Sequence, residues 1–243
     1  MRIHRIYCKS VSETNSVFKI DKAQSLHLTK VLRLDVNDKV EVFDGHGSSA
    51  ICKILEPNRS SVSLQRISDI KTAKPSTNRL GFILPFIKKE NFHFMLQKLC
   101  EIGATEFIFY KPDLIDQSIA KKDLSKIYSK SGEVIISACK QCGTNFLPIT
   151  SFVSSLGDAI KKLDPSSTKY VFDVEANDIF DVSLVKSNNI FVITGAESGF
   201  SEPEINHMYE KDFSFKLLSK NILRAETAPL VIASLIQNHF DKI

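Results

Sequence analysis

From Arg2 to about Ile70 short apolar runs read as strands, at Arg2 to Cys8, Lys39 to Phe43, Ser48 to Leu55 and Ser61 to Arg66. Asp44-Gly45-His46-Gly47 falls between two of them and predicts a hairpin loop, and Glu56-Pro57-Asn58 predicts the next reversal. Glycine, asparagine and proline there supply the backbone angles that tight turns demand. Only Ala23 to Leu32 reads as helix in this part. Several short strands with a single helix predict a small β-barrel rather than a layered domain.

The stretch Lys71-Thr72-Ala73-Lys74-Pro75-Ser76-Thr77-Asn78 is polar, carries a proline and lacks periodicity, which predicts a linker between a first domain at residues 1–70 and a second at 79–243. Beyond it the pattern changes. An apolar strand, Leu80 to Pro85, precedes Asn91 to Ile102, where Phe92, Met95, Leu96, Leu99 and Ile102 recur at helical spacing and Gly103 ends the run. Strand Glu106 to Tyr110, helices Leu124 to Gln141 and Leu156 to Leu163, and strands Lys169 to Asp173, Asn189 to Thr194 and Phe213 to Lys216 follow. A very apolar helix ends near Phe240. Such alternation predicts an α/β domain whose mostly parallel sheet is covered by helices on both faces, with ligands bound beyond the carboxyl ends of its strands.

The longest apolar runs, such as Leu230 to Ile236, fall well short of the roughly 20 residues that cross a bilayer. Met1-Arg2-Ile3-His4-Arg5 lacks the apolar stretch of a secretion signal. With 43% hydrophobic residues to build a core, these features predict a soluble cytoplasmic protein with no membrane partner. Five cysteines, an odd number, argue against a disulfide framework. Cys139-Lys140-Gln141-Cys142 has the spacing of half a zinc site, but no second ligand pair accompanies it, and Ile135, Ile136, Ala138 and Gly143 around it read as the end of a buried helix. No metal site is expected. The net charge of +4 suits a polyanionic partner without identifying one.

Thr194-Gly195-Ala196-Glu197-Ser198-Gly199-Phe200 follows directly on an apolar strand and holds two of the chain's nine glycines. Ser201 and Glu204 then form a capping box, with Pro203 tolerated in the first turn of the helix it opens. The glycines either let backbone approach a ligand or satisfy a positive φ in a tight turn. The loop matches neither the dinucleotide nor the triphosphate-cradling glycine motif, so nicotinamide and nucleoside-triphosphate chemistry lack support. A second segment, Leu217 to Ala228, joins a strand to the last helix and carries Arg224 and Glu226, which read equally as a structural ion pair or as part of a site. The helix itself is apolar nearly all round (Leu230, Val231, Ile232, Ala233, Leu235, Ile236), which implies burial, in part against a second subunit.

Together these segments resemble the RsmE family, bacterial enzymes that methylate N3 of one uridine in small-subunit (16S) ribosomal RNA. His27-Leu28-Thr29-Lys30-Val31-Leu32-Arg33 and Phe43-Asp44-Gly45-His46-Gly47 resemble that family's amino-terminal PUA-like barrel. Gln97 to Gly103 and Ala138 to Gly143 resemble two internal signatures, Gly195 to Phe200 stands where the family has G-P-E-G-G-F, and Ile222 to Ala228 where it has I-L-R-x-E-T-A. The chain departs from the pattern at Ala196, Ser198, Ser219 and Asn221, and at Gln117 and Thr144, where arginines are common.

The resemblance implies a SPOUT-class domain with a trefoil knot, a rare exception to unknotted folding. It implies a homodimer that binds S-adenosyl-L-methionine through Gly195, Glu197, Gly199 and Thr227, with the adenine in an apolar slot of Leu218, Ile222 and Leu223. It gives Arg224 the part of stabilising charge on the target base, and Glu226 that of proton acceptor or of orienting Arg224. Arg2, Arg5, Lys30, Arg33 and Lys88, with Lys89, would meet RNA phosphates, and the substrate would be an assembled or assembling small ribosomal subunit. The competing readings are an RNA-binding protein that kept this fold and lost its chemistry, a methyltransferase for another RNA base, and a small-molecule α/β enzyme, which would leave the front barrel unexplained.

Overall fold

The strand-forming runs of the first part pair into one six-stranded sheet. The computed structural model describes residues 3–243, with only the backbone at Ser12. In chain order the first part holds β1 (His4–Tyr7), β2 (Val17–Lys19), α1 (Lys22–Leu26), β3 (Lys39–Phe43), β4 (Ser48–Glu56), β5 (Ser63–Arg66) and β6 (Lys71–Thr72). The strand order is β1-β3-β4-β5-β2, with β6 added to β4, and every pair except β1 with β3 is antiparallel. Val40 and Val42 of β3 lie opposite Cys52 and Ala50 of β4, so the two-residue period of each strand puts these side chains on one buried face with Ile6, Ile54 and Leu64. Asp21 caps α1 by accepting from Gln24 N–H at 2.8 Å, and the helix runs on into a π-helical turn, His27–Val31.

Two strands here escape the hydrophobic pattern. β2 buries only Phe18. β6 lies inside the expected linker, pairing Lys71 and Thr72 with Ser49 and Ser48. Both its residues are exposed, so backbone hydrogen bonds alone hold it, and they leave no trace in side-chain polarity. The chain divides into two compact units between Pro75 and Ser76, and residues 139–147 cluster with the first unit.

Arg5 holds that distant segment in place. Its side chain is 10% exposed. It donates to Oε2 of Glu41 at 3.0 Å, to the carbonyls of Cys139 at 3.0 Å and Thr144 at 3.3 Å, and to Oδ1 of Asn145, while its guanidinium covers the Phe43 ring at 4.6 Å. The expectation that Arg5 meets RNA phosphate is therefore corrected: its donors are spent inside the unit. The hairpin loop completes the attachment, with Leu147 N–H on Gly45 O at 2.9 Å and Gly47 N–H on Asn145 O at 3.1 Å. Of the other cations expected at RNA in this unit, Lys30 and Arg33 are exposed, and Arg2 lies outside the described residues.

The second unit contains β7 (Arg79–Pro85), α2 (Lys89–Ile102), β8 (Glu106–Tyr110), α3 (Gln117–Ala120), α4 (Leu124–Cys142), whose last turn belongs to the first unit, and β9 (Ile149–Val153). Then come α5 (Leu156–Ile160), β10 (Thr168–Phe172), β11 (Asn189–Thr194), α6 (Glu202–Glu210), β12 (Ser214–Lys216) and α7 (Ala228–His239). The sheet order is β12-β10-β11-β7-β8-β9, and all neighbours are parallel.

Alternate strand residues face opposite helices. Ile83, Ile108, Val171, Phe191 and Ile193 pack with Leu156, Ala159 and Ile160 of α5 and Met208 of α6. On the other face Phe109 meets Phe92 of α2 at 5.3 Å and Tyr128 of α4 at 5.8 Å. β9 was not expected because, as an edge strand with Ile149 exposed, it carries no fully apolar run. Gly103 closes α2 at φ +98°, and Gln237 of α7 donates to Gly103 O at 2.7 Å, tying the last helix to that end. Val231 and Leu235 of α7 stay 36% and 39% exposed, so its apolar surface is not wholly covered within the chain.

Gly81 lies directly beside Phe191 in the parallel register, and an added Cβ would overlap the buried Phe191 ring. Gly81→Ala is expected to lower unfolding stability by roughly 1–3 kcal/mol, and Phe191→Leu in the same chain to recover part of it, as read from urea unfolding. Arg5→Met would leave Glu41 and two carbonyls of the distant segment without their donor. It should cost about 2–3 kcal/mol and expose residues 139–147 to limited proteolysis, with Arg5→Lys failing to restore the multidentate contact.

Candidate functional site

In a parallel sheet all strands end at the same edge, so the segments leaving β7, β10, β11 and β12 converge there. In the second unit they enclose a cavity of about 490 Å³. Its walls are Lys88 and Asn91 after β7, Phe172 at the end of β10 with Asp173 and Val174 after it, Thr194 at the end of β11 with Gly195 to Glu197, Gly199 and Phe200 after it, and Leu217 to Ser219 with Asn221 to Glu226 after β12. Ala228 closes it at the first turn of α7.

The glycine loop is folded on itself. Gly199 has φ +73°, its N–H donates to Ala196 O at 3.0 Å, and a Cβ on Gly195 would come within 3.2 Å of Gly199 Cα. Of the two readings left open for these glycines, the positive φ therefore applies at Gly199, while Gly195 permits backbone to pack on backbone. A Cβ built on Gly199 meets nothing within 4 Å, so that position looks into open space.

The capping box anchors the loop's far end. Ser201 Oγ accepts from Glu204 N–H at 3.2 Å, and Glu204 Oε2 accepts from Ser201 N–H at 2.9 Å. Ser201 Oγ also donates to Oδ2 of Asp113 at 2.6 Å, and Glu204 Oε1 accepts from Asp113 N–H at 3.3 Å, which joins the segment after β8 to the start of α6. Burial pushes the Glu204 carboxyl above its ordinary pKa, and the fully buried Tyr110 hydroxyl is raised by burial first and then by Glu204 and Asp113. The near end is tied through Glu197, whose Oε1 accepts from Lys88 N–H at 3.4 Å, while Lys88 Nζ lies 3.5 Å from Asp116 Oδ2.

Arg224 and Glu226 are neighbours but not a tight pair. Nη1 and Oε1 stand 4.0 Å apart, with side chains 83% and 11% exposed. Such an open pair stabilises a fold by about 0–1 kcal/mol, which leaves the guanidinium available to a ligand. Arg224 O accepts from Thr227 N–H at 2.8 Å and Ala228 N–H at 3.0 Å, so the turn that starts α7 fixes the backbone from which both side chains border the cavity.

Gly195, Glu197, Gly199, Leu218, Ile222, Leu223, Arg224, Glu226 and Lys88 all border this cavity. Leu218 and Leu223 are half-buried, and Ile222 is 82% exposed at the rim. Thr227 borders α7 rather than the cavity. Missed from the sequence were Phe172, Asp173, Val174 and Asn91, which belong to no motif, whereas Thr194 opens the glycine segment already singled out. The available signal was the place of Phe172 and Asp173 at the carboxyl end of the expected strand Lys169 to Asp173. Thr194 Oγ1 is buried without a hydrogen-bond partner. Ser219, one of the departures, accepts on Oγ from Asn221 N–H at 3.1 Å and so closes its own turn.

The sequence profile of the RNA methyltransferase domain matches residues 74–237, and that of the RNA methyltransferase PUA domain matches residues 20–65. The chain is 28% identical over 250 residues to the ribosomal RNA small subunit methyltransferase E of Buchnera aphidicola (subsp. Schizaphis graminum), covering 98% of this chain and 97% of that one. It is 27% identical to the protein of the same name from Rickettsia conorii, over the whole of both. Among solved structures, a ribosomal RNA small subunit methyltransferase E from Neisseria gonorrhoeae bound to S-adenosyl methionine superposes with a TM-score of 0.84 over 98% of each chain at 23% identity, a likeness of fold. The chain belongs to the RNA methyltransferase domain family, and the RsmE resemblance read from its motifs holds over its full length.

Proposed function

We propose that this chain transfers a methyl group from S-adenosyl-L-methionine to N3 of a uridine in 16S ribosomal RNA, within an assembled or assembling small subunit in the cytoplasm. One observation carries the reading. In a member of the RNA methyltransferase family, the two motif segments, Gly195 to Phe200 and Leu217 to Ala228, border one cavity at the carboxyl edge of a parallel sheet. The relatives named above are small-subunit ribosomal RNA methyltransferases, which supports the same substrate here.

The residues present fit the cofactor. A volume of about 490 Å³ lies within the roughly 300–1,000 Å³ of small-molecule sites. Leu218, Leu223 and Phe172 supply apolar surface for an adenine, and Asp173, Glu197 and Glu226 supply negative charge for a ligand carrying a sulfonium and an ammonium. When bound, the cofactor supplies an electrophilic methyl group, so no covalent nucleophile is required of the protein.

What remains for the chain is to hold the base and manage one proton. N3 of uracil is weakly acidic, and its loss of a proton spreads negative charge over O2 and O4. The open guanidinium of Arg224 is always charged and donates in a fixed plane to such oxygens. Glu226, largely buried beside it, either takes the N3 proton or orients Arg224.

The finer architecture belongs to the same proposal: a PUA-like barrel at the front, and a trefoil knot formed by the segments around the cavity. The match of the PUA profile and the convergence of those two segments support it. A homodimer is supported by the uncovered Val231 and Leu235 of α7 and by the exposed Ile222 at the rim.

Calorimetric titration of the wild type with S-adenosylmethionine should show saturable binding. Gly199→Val should abolish it, because a β-branched residue at φ +73° is strained and its side chain enters the open space there. A folded wild type that binds no cofactor would instead favour the non-catalytic RNA binder. Arg224→Lys should keep cofactor affinity within a few-fold and cut turnover by about 10²-fold in a tritiated-methyl transfer assay on small subunits; unchanged turnover would remove Arg224 from charge stabilisation.

A further inference from the structure

The cavity at the sheet edge is bordered by two polar side chains whose bonding capacity the fold leaves unused. Thr194 is the last residue of β11 and lies directly beside Phe172, the last residue of β10, in the parallel register. Val171 and Ile193, one residue earlier in each strand, pack on the side of α5 and α6. Alternation therefore turns Phe172 and Thr194 to the opposite side, where Asn91 in the first turn of α2 and Ala228 in that of α7 border the cavity with them. Thr194 is buried, and among the described residues its Oγ1 has no hydrogen-bond partner. A buried hydroxyl in that state destabilises the protein unless a ligand engages it.

Asp173 follows Phe172 and leaves the strand. Its N–H donates to Lys216 O at 3.1 Å, and its carbonyl accepts from Ala176 N–H at 3.3 Å. Oδ1 accepts from Glu175 N–H at 2.8 Å, which closes a turn and fixes the carboxylate. Among the described residues no cation pairs with that carboxylate and no donor engages Oδ2, although the residue is half-buried and borders the cavity.

A carboxylate oxygen can only accept, whereas a hydroxyl both donates and accepts. Side by side, both adjoining Phe172, the two match a partner that carries hydroxyl groups. In the cofactor of the proposed reaction that partner is the ribose. It is bonded to the base, so an adenine held against Phe172, Leu218 and Leu223 brings its sugar to the neighbours of Phe172. A carboxylate near a strand's carboxyl end meets ribose hydroxyls in the same way in dinucleotide-binding sheets. We propose that Asp173 and Thr194 form the ribose subsite of the cavity, Asp173 Oδ2 accepting from one sugar hydroxyl and Thr194 Oγ1 bonding the sugar beside it. The proposal rests on S-adenosyl-L-methionine being the cofactor. It assigns Asp173 to the sugar and leaves the sulfonium and ammonium to Glu197 and Glu226.

The test is calorimetric titration of the full chain with S-adenosylhomocysteine, which keeps the ribose and carries no reactive methyl group, and with its 2′-deoxy and 3′-deoxy forms. Asp173→Asn keeps the acceptor that closes the turn and puts a donor where the open acceptor was. It should weaken S-adenosylhomocysteine about ten-fold, the share of one hydrogen bond to a charged group. The wild type should lose about as much with one of the two deoxy forms, and Asp173→Asn should then leave the affinity for that form within about two-fold. Thr194→Val should weaken S-adenosylhomocysteine about five-fold, and should raise the urea midpoint of the cofactor-free chain by removing a hydroxyl without a partner.

Wild-type affinity in either variant would overturn the subsite. So would an equal loss across all three ligands in Asp173→Asn, because the carboxylate would then serve the base, the ammonium or the turn instead of the sugar. A wild type that binds neither S-adenosylhomocysteine nor S-adenosylmethionine would sink the methyl-transfer reading and this one together. Binding by the wild type with no response in the variants sinks this one alone.

Discussion

Parallel alignment of the six strands of the second unit is the constraint from which the site follows. It forces every connection to cross back over the sheet, so both faces must be buried by helices, and Phe109 and Ile108 find different helices though adjacent in sequence. It also gathers the carboxyl ends of β7, β10, β11 and β12 at one edge. Residues as far apart as Lys88 and Glu226 share a cavity for this reason alone. Gly81 shows how tight the arrangement is: the strand pair β7 and β11 closes only because one residue has no side chain where Phe191 has a ring.

A second constraint is that the first unit is not one stretch of chain. Its hairpin loop is bonded to residues 145–147, and Arg5 spends its donors on a segment well over a hundred residues away. No local pattern announces this. An arginine in a basic amino-terminal strand reads as a surface cation, because composition records the charge and not the carbonyls that surround it. Arg5 was misread on that account.

Elements that owe their existence to side-chain burial were legible to the residue, as with Glu106–Tyr110 and Asn189–Thr194. The capping box at Ser201 was equally legible, since its two hydrogen bonds depend on residue types at fixed spacing. β6 and β9 were not, because each bonds to one neighbouring strand and neither carries a readable apolar run: both residues of β6 are exposed, and in β9 Ile149 is exposed, Thr150 and Ser151 are polar, and Phe152 packs on Phe86 and Tyr128. The site divides in the same way. Glycines and an arginine in family motifs could be named beforehand, whereas Asp173 and Phe172 reach the cavity only by the order of strands in the sheet.

The departures from the family motif gain a physical meaning once the loop is seen. Gly199 is the residue that needs φ > 0, and Gly195 is the one whose Cβ would strike backbone; both are retained. Ala196 and Ser198, where the family has proline and glycine, do not have positive φ. Ala196 is buried and supplies the carbonyl that Gly199 bonds, a task that does not depend on its side chain, and Ser198 is exposed. Ser219 goes further and contributes an acceptor to its own turn. The changed letters fall where the backbone does not demand the original ones, and the shape of the loop is carried by those that remain.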